Sequence, residues 1–375
     1  MQLTRRALVL GSAAIAGAVQ AAQASQLHAA RKIVDGLLAA DPIPALSIAV
    51  MHRDQLLWAE AFGTADLELG VPATPAHRFR LGSVSKVITA TLAATLAADG
   101  AIDLDSAISN YMPDLPAPHR ATTLRMLLTH RGGIRHYADK DWSLEAPGPI
   151  DRRQYLSSAD VLAVFIDDPL VALPGTQVLY STFGYTLASL VLEAATRVRF
   201  LDLVQREIAT RIPMQSLVAD APASIVALRV SGYQSGDITR KVLPDFDGRW
   251  ANIAQSNPAY KWAGGGLMTT MADLARFGAA HLAPGKLPAA ALKTLFTVYT
   301  SATDRSPPLG LGWRIDADAV GRMRWHHAGG QDGARASLVV YPAQELAIAF
   351  ATNVTAFPAD VLAPSAALAD VFARR

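Results

Sequence analysis

Strand patterns occupy both ends of this chain, and helical patterns fill the segment between them. Residues 45–52 and 55–62 predict two strands around a turn. Further strand patterns lie near the C-terminus, at residues 311–315, 322–328, 336–341 and 346–352. The intervening segment, about residues 84–290, is mainly helical and is broken by loops that contain Pro and Gly. We therefore expect one sheet assembled from both termini, with the helical segment beside it as an insertion, which is an α+β fold.

Helical patterns also flank the predicted sheet. Apolar residues at helical spacing predict an amphipathic helix over residues 27–38. Residues 360–374 predict a closing helix whose start Pro364 delays or kinks. No internal repeat, low-complexity tract or linker divides the sequence. We therefore predict a single domain over residues 25–375, with its helical insertion at about residues 90–290.

Residues 1–24 carry the pattern of an export signal. Arg5-Arg6 precedes an apolar stretch over residues 7–19, and small residues follow as far as Ala24. This order predicts cleavage after Ala24 and a periplasmic or secreted protein, and the paired arginines resemble a twin-arginine signal. An uncleaved anchor is the alternative, but the stretch is shorter than the roughly 20 residues that a span needs. We predict no integral membrane span after signal removal.

Composition excludes several classes of function. The chain has 34 basic and 32 acidic residues and no block of like charge, so no nucleic-acid partner is predicted. The absence of cysteine excludes disulfides, cysteine-ligated zinc and thiol catalysis. The nine histidines include no H-E-x-x-H pattern, so we predict no metal site and no cofactor. The expected partner is a small-molecule or peptide substrate.

Ser83 and Lys86 lie three residues apart at the start of a run that ends before Gly100. The run is rich in Ala, Leu, Ile and Thr, and predicts a buried helix that begins at or just after Ser83. Positions three apart share a helix face, so the Lys86 amine can reach the Ser83 oxygen. A desolvated lysine is a base that activates a serine nucleophile. Taken alone, the pattern also fits a capping serine followed by a surface lysine.

Tyr180 lies in a turn before a helical pattern over residues 183–195. The turn places its phenol at a loop rather than on a core face. A tyrosine beside a lysine ammonium has a reason to lose its proton, and the phenolate can pass protons between nucleophile and leaving group. The alternative role for this tyrosine is packing with a hydrogen-bonded hydroxyl.

His327 ends a predicted strand and is followed closely by Gly329 and Gly330. A glycine pair lets a substrate backbone approach, and a free N–H can face a developing oxyanion. His327 offers a charge that changes near neutral pH and a hydrogen bond to a substrate carboxylate or to the tyrosine. His326 faces the opposite side of the strand, where we interpret it as structural. A strand-end His327 without a role is the alternative.

Three motifs together resemble the serine β-lactamase and penicillin-binding-protein superfamily. They are S-x-x-K at 83–86, Y-S-T at 180–182 and H-A-G at 327–329. Their order and separations look like the class C β-lactamase and DD-peptidase branch, and the resemblance covers about residues 28–355. Framework stretches that agree lie at residues 78–82, 127–130, 132–134, 264–267, 273–274, 340–342 and 351–353.

The resemblance implies an α/β sandwich with an antiparallel sheet beside an all-helical region. It also implies an acyl-enzyme mechanism without a metal. Carried over to this sequence, Ser83 attacks the substrate carbonyl, Lys86 assists deprotonation and Tyr180 shuttles the proton. His327 takes the place of the lysine that many members have in the third motif.

The resemblance also implies where the substrate oxygen and amide are held. The oxyanion would lie between the Ser83 N–H and a backbone N–H just after Gly329, that of Gly330. Thr182 departs from the pattern, because the second motif usually ends in an Asn that holds a substrate amide and helps order the lysine. A threonine is shorter and offers one hydroxyl, which argues against recognition of β-lactam side chains.

The third motif departs as well, because His327 supplies no fixed positive charge for a substrate carboxylate. Both departures, and residues 180–185 in particular, look like the mitochondrial LACTB-type peptidases and their bacterial relatives. The sequence therefore favours peptidase or esterase action over efficient β-lactamase activity.

Two classes of function stay open. The first is an exported serine hydrolase that cleaves a peptide, amide or ester bond, with a true class C-like β-lactamase or a DD-carboxypeptidase as the alternative within it. The second is a catalytically silent binding or scaffold homologue, which the retained reactive residues disfavour. An α/β-hydrolase is excluded because the chain has no G-x-S-x-G elbow. The loops at about residues 131–142 and 231–262 set the pocket width, and their shape does not follow from the sequence.

Overall fold

The computed structural model describes residues 5–40, 43–299, 308–357 and 360–373, and residues 5–20 and 22 by their backbone alone. Residues 1–4 of the predicted export signal lie outside this part of the chain, and the rest of the signal begins the first helix. Within the part described, no helix combines the length and apolarity needed to cross a bilayer.

Strands from both ends of the chain and short strands from the middle form the β-structure. They are β1 (Ala45–His52), β2 (Gln55–Asp66), β3 (Val71–Pro72), β4 (Phe79–Arg80), β5 (Val218–Ala219), β6 (Tyr233–Ser235), β7 (Trp250–Asn252), β8 (Leu267–Thr269), β9 (Arg314–Ala317), β10 (Met323–Gln331), β11 (Ala334–Tyr341) and β12 (Leu346–Thr352).

The α-helices flank the large sheet and dominate the middle of the chain. They are α1 (Arg5–Ala40), α2 (Ser85–Ala98), α3 (Leu124–Leu128), α4 (Ser158–Leu162), α5 (Thr182–Thr196), α6 (Phe200–Leu203), α7 (Gly236–Arg240), α8 (Trp262–Gly265), α9 (Met271–Ala280), α10 (Ala289–Phe296) and α11 (Ala363–Phe372). Short 3-10 helices include Gly82–Val84, which leads into α2, and Pro258–Lys261, which leads into α8.

The large sheet joins the two ends of the chain, as the sequence predicts. Its order is β3-β2-β1-β12-β11-β10-β9, and each neighbouring pair is antiparallel. At its centre β1 pairs with β12, with Ile48 opposite Phe350. The predicted α+β class with an antiparallel sheet built from both termini is confirmed.

Helices cover both faces of this sheet. Ile48 and Val50 belong to the core shared with α1 and α11, whereas Ala49 and Met51 belong to the core shared with α9 and the helical segment. This alternation follows from the period of two along a strand. The strand is buried on both faces, and its residues are accordingly mostly apolar, with Ser47 as a buried polar exception.

Asn353 fastens the sheet to the middle of the chain. Its buried side chain accepts a hydrogen bond from the Ala45 N–H at 2.8 Å and donates one to the Ser231 carbonyl at 3.0 Å. The middle segment is mainly helical, but it also carries the small sheets β4-β8-β5 and β6-β7, which the sequence analysis did not predict. Strands of two or three residues are too short to show a period.

Some predicted boundaries shift. The first strand and the last match the prediction, but β2 continues to Asp66 and β9 begins only at Arg314. The turn before β9 runs Gly310 to Gly312, and Gly312 has a φ of 72° that ends extended structure there. Pro364 lies in the first turn of α11, which starts at Ala363, as expected of a residue that fits the start of a helix.

Candidate active site

Ser83 lies in the 3-10 helix that precedes α2, and Lys86 lies in the first turn of α2. The Lys86 Nζ is 3.2 Å from the Ser83 Oγ. The predicted helix therefore starts two residues after the serine, and the predicted contact between the two side chains is present.

The Lys86 amine is fully buried among neutral groups. Besides Ser83, it contacts the Thr182 Oγ1 at 3.1 Å and the Gly264 carbonyl oxygen at 2.5 Å. The ring centroid of Tyr180 lies 4.8 Å from the nitrogen and that of Tyr185 5.5 Å. Burial holds the pKa of Lys86 well below its usual value of 10.5. A neutral amine is the form that can accept a proton from the serine.

The Tyr180 hydroxyl donates a hydrogen bond to the Ser83 Oγ at 2.8 Å. A neutral amine has two N–H groups and one lone pair. Its N–H groups serve Thr182 and Gly264, so its lone pair can accept the Ser83 hydroxyl proton. The hydrogen bonds then run in one direction, from Tyr180 to Ser83 and from Ser83 to Lys86.

The predicted phenolate at Tyr180 is wrong for this state of the site. Burial raises the pKa of Tyr180, although the hydrogen bond to Ser83 and the charge of Arg314 oppose the shift. The expectation assumed an ammonium beside the phenol, whereas burial lowers the pKa of Lys86 and so favours the neutral amine. The phenol therefore keeps its proton and serves as a donor.

Two histidines that the sequence analysis did not assign to the site hold the second motif. The His130 Nδ1 accepts a hydrogen bond from the Ser181 N–H at 3.2 Å, and the His136 Nδ1 accepts one from the Thr182 N–H at 3.3 Å. The His130 ring packs on Tyr180 with 4.4 Å between centroids. Both rings must be neutral for this, and burial lowers the pKa of His136 to about 4.

His327 is buried beside the tyrosine, with 6.4 Å between the ring centroids of His327 and Tyr180. Burial lowers the pKa of His327 to about 3. The predicted change of charge near neutral pH is therefore wrong. The Nδ1 lies 2.6 Å from the Ala328 carbonyl oxygen and donates to it, which leaves the Nε2 as an acceptor. His326 instead contacts the Asp316 carboxylate at 3.0 Å.

The glycines of β10 pack directly on the serine segment. A Cβ added at Gly329 would lie 2.0 Å from the Leu81 carbonyl oxygen and 3.0 Å from the Ser83 nitrogen. A Cβ added at Gly82 would lie 2.8 Å from the Gly330 nitrogen. Backbone atoms from both segments therefore meet beside Ser83, in the region where the resemblance predicts the oxyanion.

Thr182 lies beneath the site rather than at its mouth. It is the first residue of α5, its side chain is buried, and its hydroxyl accepts from Lys86. A Cβ at Gly264 would lie 2.7 Å from its Cγ2, so the packing leaves no room for a longer amide in this rotamer. Thr182 thus orders the lysine, which is one of the two tasks expected of the usual Asn.

Arg314 provides a positive charge that the sequence analysis did not assign to the site. It lines a small cavity with His130, Tyr180 and His327. Its charge acts on Tyr180 and on both histidines. In the described part of the chain, no carboxylate lies within ion-pair distance of its guanidinium. Asp316, on the same strand, pairs instead with Arg324 and His326. Its position at the start of a strand does not identify it as a site residue in the sequence.

The sequence as a whole matches a known family. A model of the Beta-lactamase family matches residues 30–371. The chain belongs to the beta-lactamase family.

Similar proteins within and around this family include hydrolases of several kinds. The human mitochondrial serine beta-lactamase-like protein LACTB is 26% identical over 387 residues, covering 80% of this chain and 69% of that protein. Esterase EstB of Burkholderia gladioli is 30% identical over 217 residues, covering 55% of this chain and 51% of the esterase. A D-stereospecific amidohydrolase from Streptomyces has the same fold, with a TM-score of 0.74 at 23% identity, covering 92% of this chain and 98% of that one.

Membership of the beta-lactamase family makes the protein a serine hydrolase. Within the described residues, no group of three or more His, Cys, Asp or Glu side chains is arranged to hold a metal ion. The site residues that the sequence singled out in the three motifs lie together in the structure.

We expect Gly329→Ala to reduce hydrolysis by roughly 100-fold, as loss of an oxyanion donor does. The added Cβ would overlap the Leu81 carbonyl and push β10 away from the serine segment. Initial rates with a chromogenic ester measure the loss, and circular dichroism checks the fold. Gly36→Ala is the matched control, because its Cβ would meet nothing within 4 Å. A Gly329→Ala enzyme with the parental rate would contradict the role of this contact.

Proposed function

We propose that this protein is an exported serine hydrolase that cleaves a peptide, amide or ester bond through an acyl-Ser83 intermediate. The observation that carries the proposal is the position of the Ser83 Oγ, 2.8 Å from the Tyr180 hydroxyl and 3.2 Å from the amine of Lys86, whose pKa burial lowers. A serine with a donor on one side and a base on the other can attack a carbonyl without a metal.

In acylation, the Ser83 oxygen attacks the carbonyl and its proton passes to Lys86. The N–H groups of Ser83 and Gly330 stabilise the oxyanion in this scheme. Tyr180 gives its proton to the leaving group, because the ammonium formed at Lys86 now favours the phenolate. The acyl-enzyme is left with a protonated lysine and a deprotonated tyrosine.

In deacylation, the Tyr180 phenolate takes a proton from water as the water attacks the ester. The Lys86 ammonium returns its proton to the departing Ser83 oxygen. Both residues end with the protons that they carried at the start, so no proton is gained or lost by the enzyme over the cycle.

The edge of β10 supports a peptide as one class of substrate. The strand β9 pairs with β10 only as far as His326. Beyond that point the edge of β10 runs past Ser83, where a substrate backbone can lie alongside. The names of the relatives include an esterase and an amidohydrolase, which supports an amide or ester bond as the target.

A second candidate is a carboxypeptidase-like or β-lactamase action, in which the leaving group carries a carboxylate. Arg314 favours it, since its guanidinium shares a cavity with Tyr180, the residue that protonates the leaving group. Arg314 then supplies the positive charge that a neutral His327 lacks.

We expect Ser83→Ala to abolish hydrolysis of every substrate while leaving the fold intact, because no other residue replaces the nucleophile. Intact-protein mass over time with a penicillin, and separately with a 4-nitrophenyl ester, detects an adduct on the parent enzyme and none on the variant. A lasting penicillin adduct would favour the penicillin-binding alternative, and rapid penicillin turnover would favour the β-lactamase.

A Ser83→Ala enzyme that hydrolyses near the parental rate would refute the assignment of the nucleophile. Circular dichroism of the variant separates loss of chemistry from loss of structure. A well-folded parent protein with neither adduct nor turnover, over a panel of peptides, esters and β-lactams, would favour the silent scaffold.

The pH dependence of kcat/KM follows from the charge states of the site. Activity requires neutral Lys86, so the rate rises with pH through the pKa of this lysine, which burial holds well below 10.5. It falls again only above pH 10, where Tyr180, whose pKa is raised, loses its proton. His327, with a pKa of about 3, should add no inflection between pH 5 and 8.

A profile of the His327→Gln enzyme measures this directly. We expect both limbs of the profile to keep their positions, whatever the height of the plateau. An acid limb near pH 6.5 in the parent that moves in the variant would show instead that His327 titrates during the reaction.

We further propose that residues 1–24 direct export by the twin-arginine route, on the sequence pattern alone. In a bacterial host, the periplasmic protein should begin at Ser25 by mass. Replacing Arg5 and Arg6 with lysine should hold the full-length chain in the cytoplasm. Unchanged export of the double variant, or an uncleaved N-terminus, would overturn the route or the cleavage.

A further inference from the structure

Lys261 immediately precedes α8, the short helix whose Gly264 carbonyl contacts the Lys86 amine. It ends the 3-10 helix that leads into α8, and α8 supplies the Gly264 carbonyl to Lys86. A Cβ placed on Gly265 would lie 3.5 Å from the Lys261 Cδ and 3.7 Å from the carbonyl carbon of Gly82. Gly265 therefore lies between the aliphatic part of the Lys261 side chain and the segment that bears Ser83.

The Lys261 amine has no ion-pair partner among the residues that the structure describes. Asp220, Asp332 and Asp151 lie near enough to influence or feel its charge. Asp220 is engaged by Arg80 at 2.7 Å, and Asp332 and Asp151 lie beyond ion-pair distance. Desolvation lowers the pKa of Lys261 to about 8. At neutral pH this partly buried, mostly protonated amine therefore has no counter-ion in the described part of the chain, and the ring centroid of Tyr260 lies 5.6 Å from its nitrogen.

Arg314 and Lys261 come near different parts of β10. Arg314 pairs with β10 at His326 and shares a cavity with His327. Lys261 senses the charge of Asp332, which follows the last residue of β10. The five-residue advance from 327 to 332 spans roughly 16 Å in an extended strand. The serine segment meets β10 between these points, at Gly329 and Gly330.

The regions of β10 near Arg314 and near Lys261 serve different parts of a substrate. The leaving group must lie on the side of Tyr180, which donates the proton, and that is the side of Arg314. The acyl group then extends along β10 toward Lys261. We propose that Lys261 binds an anionic group, a carboxylate, on the acyl portion of the substrate. This inference rests on the proposed acyl-serine function and names a substrate class for it.

Two esters with the same leaving group test the proposal. Mono-4-nitrophenyl glutarate carries a carboxylate at the end of its acyl chain, and 4-nitrophenyl butyrate lacks it. For Lys261→Met we expect kcat/KM with the glutarate ester to fall by roughly 10-fold to 100-fold, the value of a hydrogen bond to a charged group. The loss should lie mainly in KM, and butyrate hydrolysis should change less than about twofold.

Controls separate charge from structure. Lys293→Met removes an exposed lysine on α10 and should leave both esters unaffected. Lys261→Arg should retain most of the preference for the glutarate ester, because it keeps the charge. Lys261→Gln provides a second neutral variant in case the Met variant folds poorly. The Ser83→Ala enzyme gives the background rate for each ester.

The outcomes distinguish this inference from the function on which it rests. Equal losses on both esters in Lys261→Met would make the lysine structural and overturn the proposal. A parent enzyme that hydrolyses butyrate but shows no preference for glutarate would overturn it as well, while the acyl-serine function would stand. A parent without Ser83-dependent turnover of either ester, or of the substrate panel above, would refute the function and this inference together.

Discussion

The burial of the Lys86 amine without a neighbouring acid is the constraint on which the site depends. Its nearest partners in the described structure are neutral oxygens from Ser83, Thr182 and Gly264. An ammonium there would need a counter-charge, so the amine is held neutral and becomes a base. Three segments that are far apart in sequence must meet around one nitrogen, and α2, α5 and α8 are the elements that bring them there.

The large sheet supplies the other half of the site, again through contacts between segments that are far apart in sequence. β10 is held by β11 on one side, and its pairing with β9 ends at His326, so beyond that residue its second edge has no strand partner in the part of the chain described. Gly329 lets the backbone of β10 approach the backbone of residues 81–83 more closely than a side chain at this position would allow. The position of the Gly330 N–H is thus fixed by strand register, and the position of Ser83 by the start of a helix.

Much of the architecture follows from local patterns in the sequence. The bounds of β1 and β12 match the prediction because both strands are short, apolar and bordered by turns. Ser83, Lys86, Tyr180 and His327 were identified by the resemblance of three motifs, and the structure brings them together.

The charges of these groups were not predictable in the same way. The states of Tyr180 and His327 depend on how deeply the folded chain buries them, which no local pattern records. The roles of His130, Arg314 and Lys261 arise from contacts between segments dozens of residues apart. A sequence pattern identifies groups that can react, whereas packing decides the proton that each one carries.

The paired histidines behind the second motif make the site sensitive to acid in a specific way. Each accepts a backbone N–H through its Nδ1, and a protonated ring turns that acceptor into a donor. The pKa of His136 is lowered from 6.5 to about 4, and burial also lowers that of His130. Unfolded chains therefore bind more protons than folded ones below about pH 6.5, and the folded state loses stability as the pH falls from there toward 4. Acid would then weaken the hydrogen bonds that hold the start of α5, so the same burial that lowers the pKa of Lys86 also makes the folded state sensitive to acid.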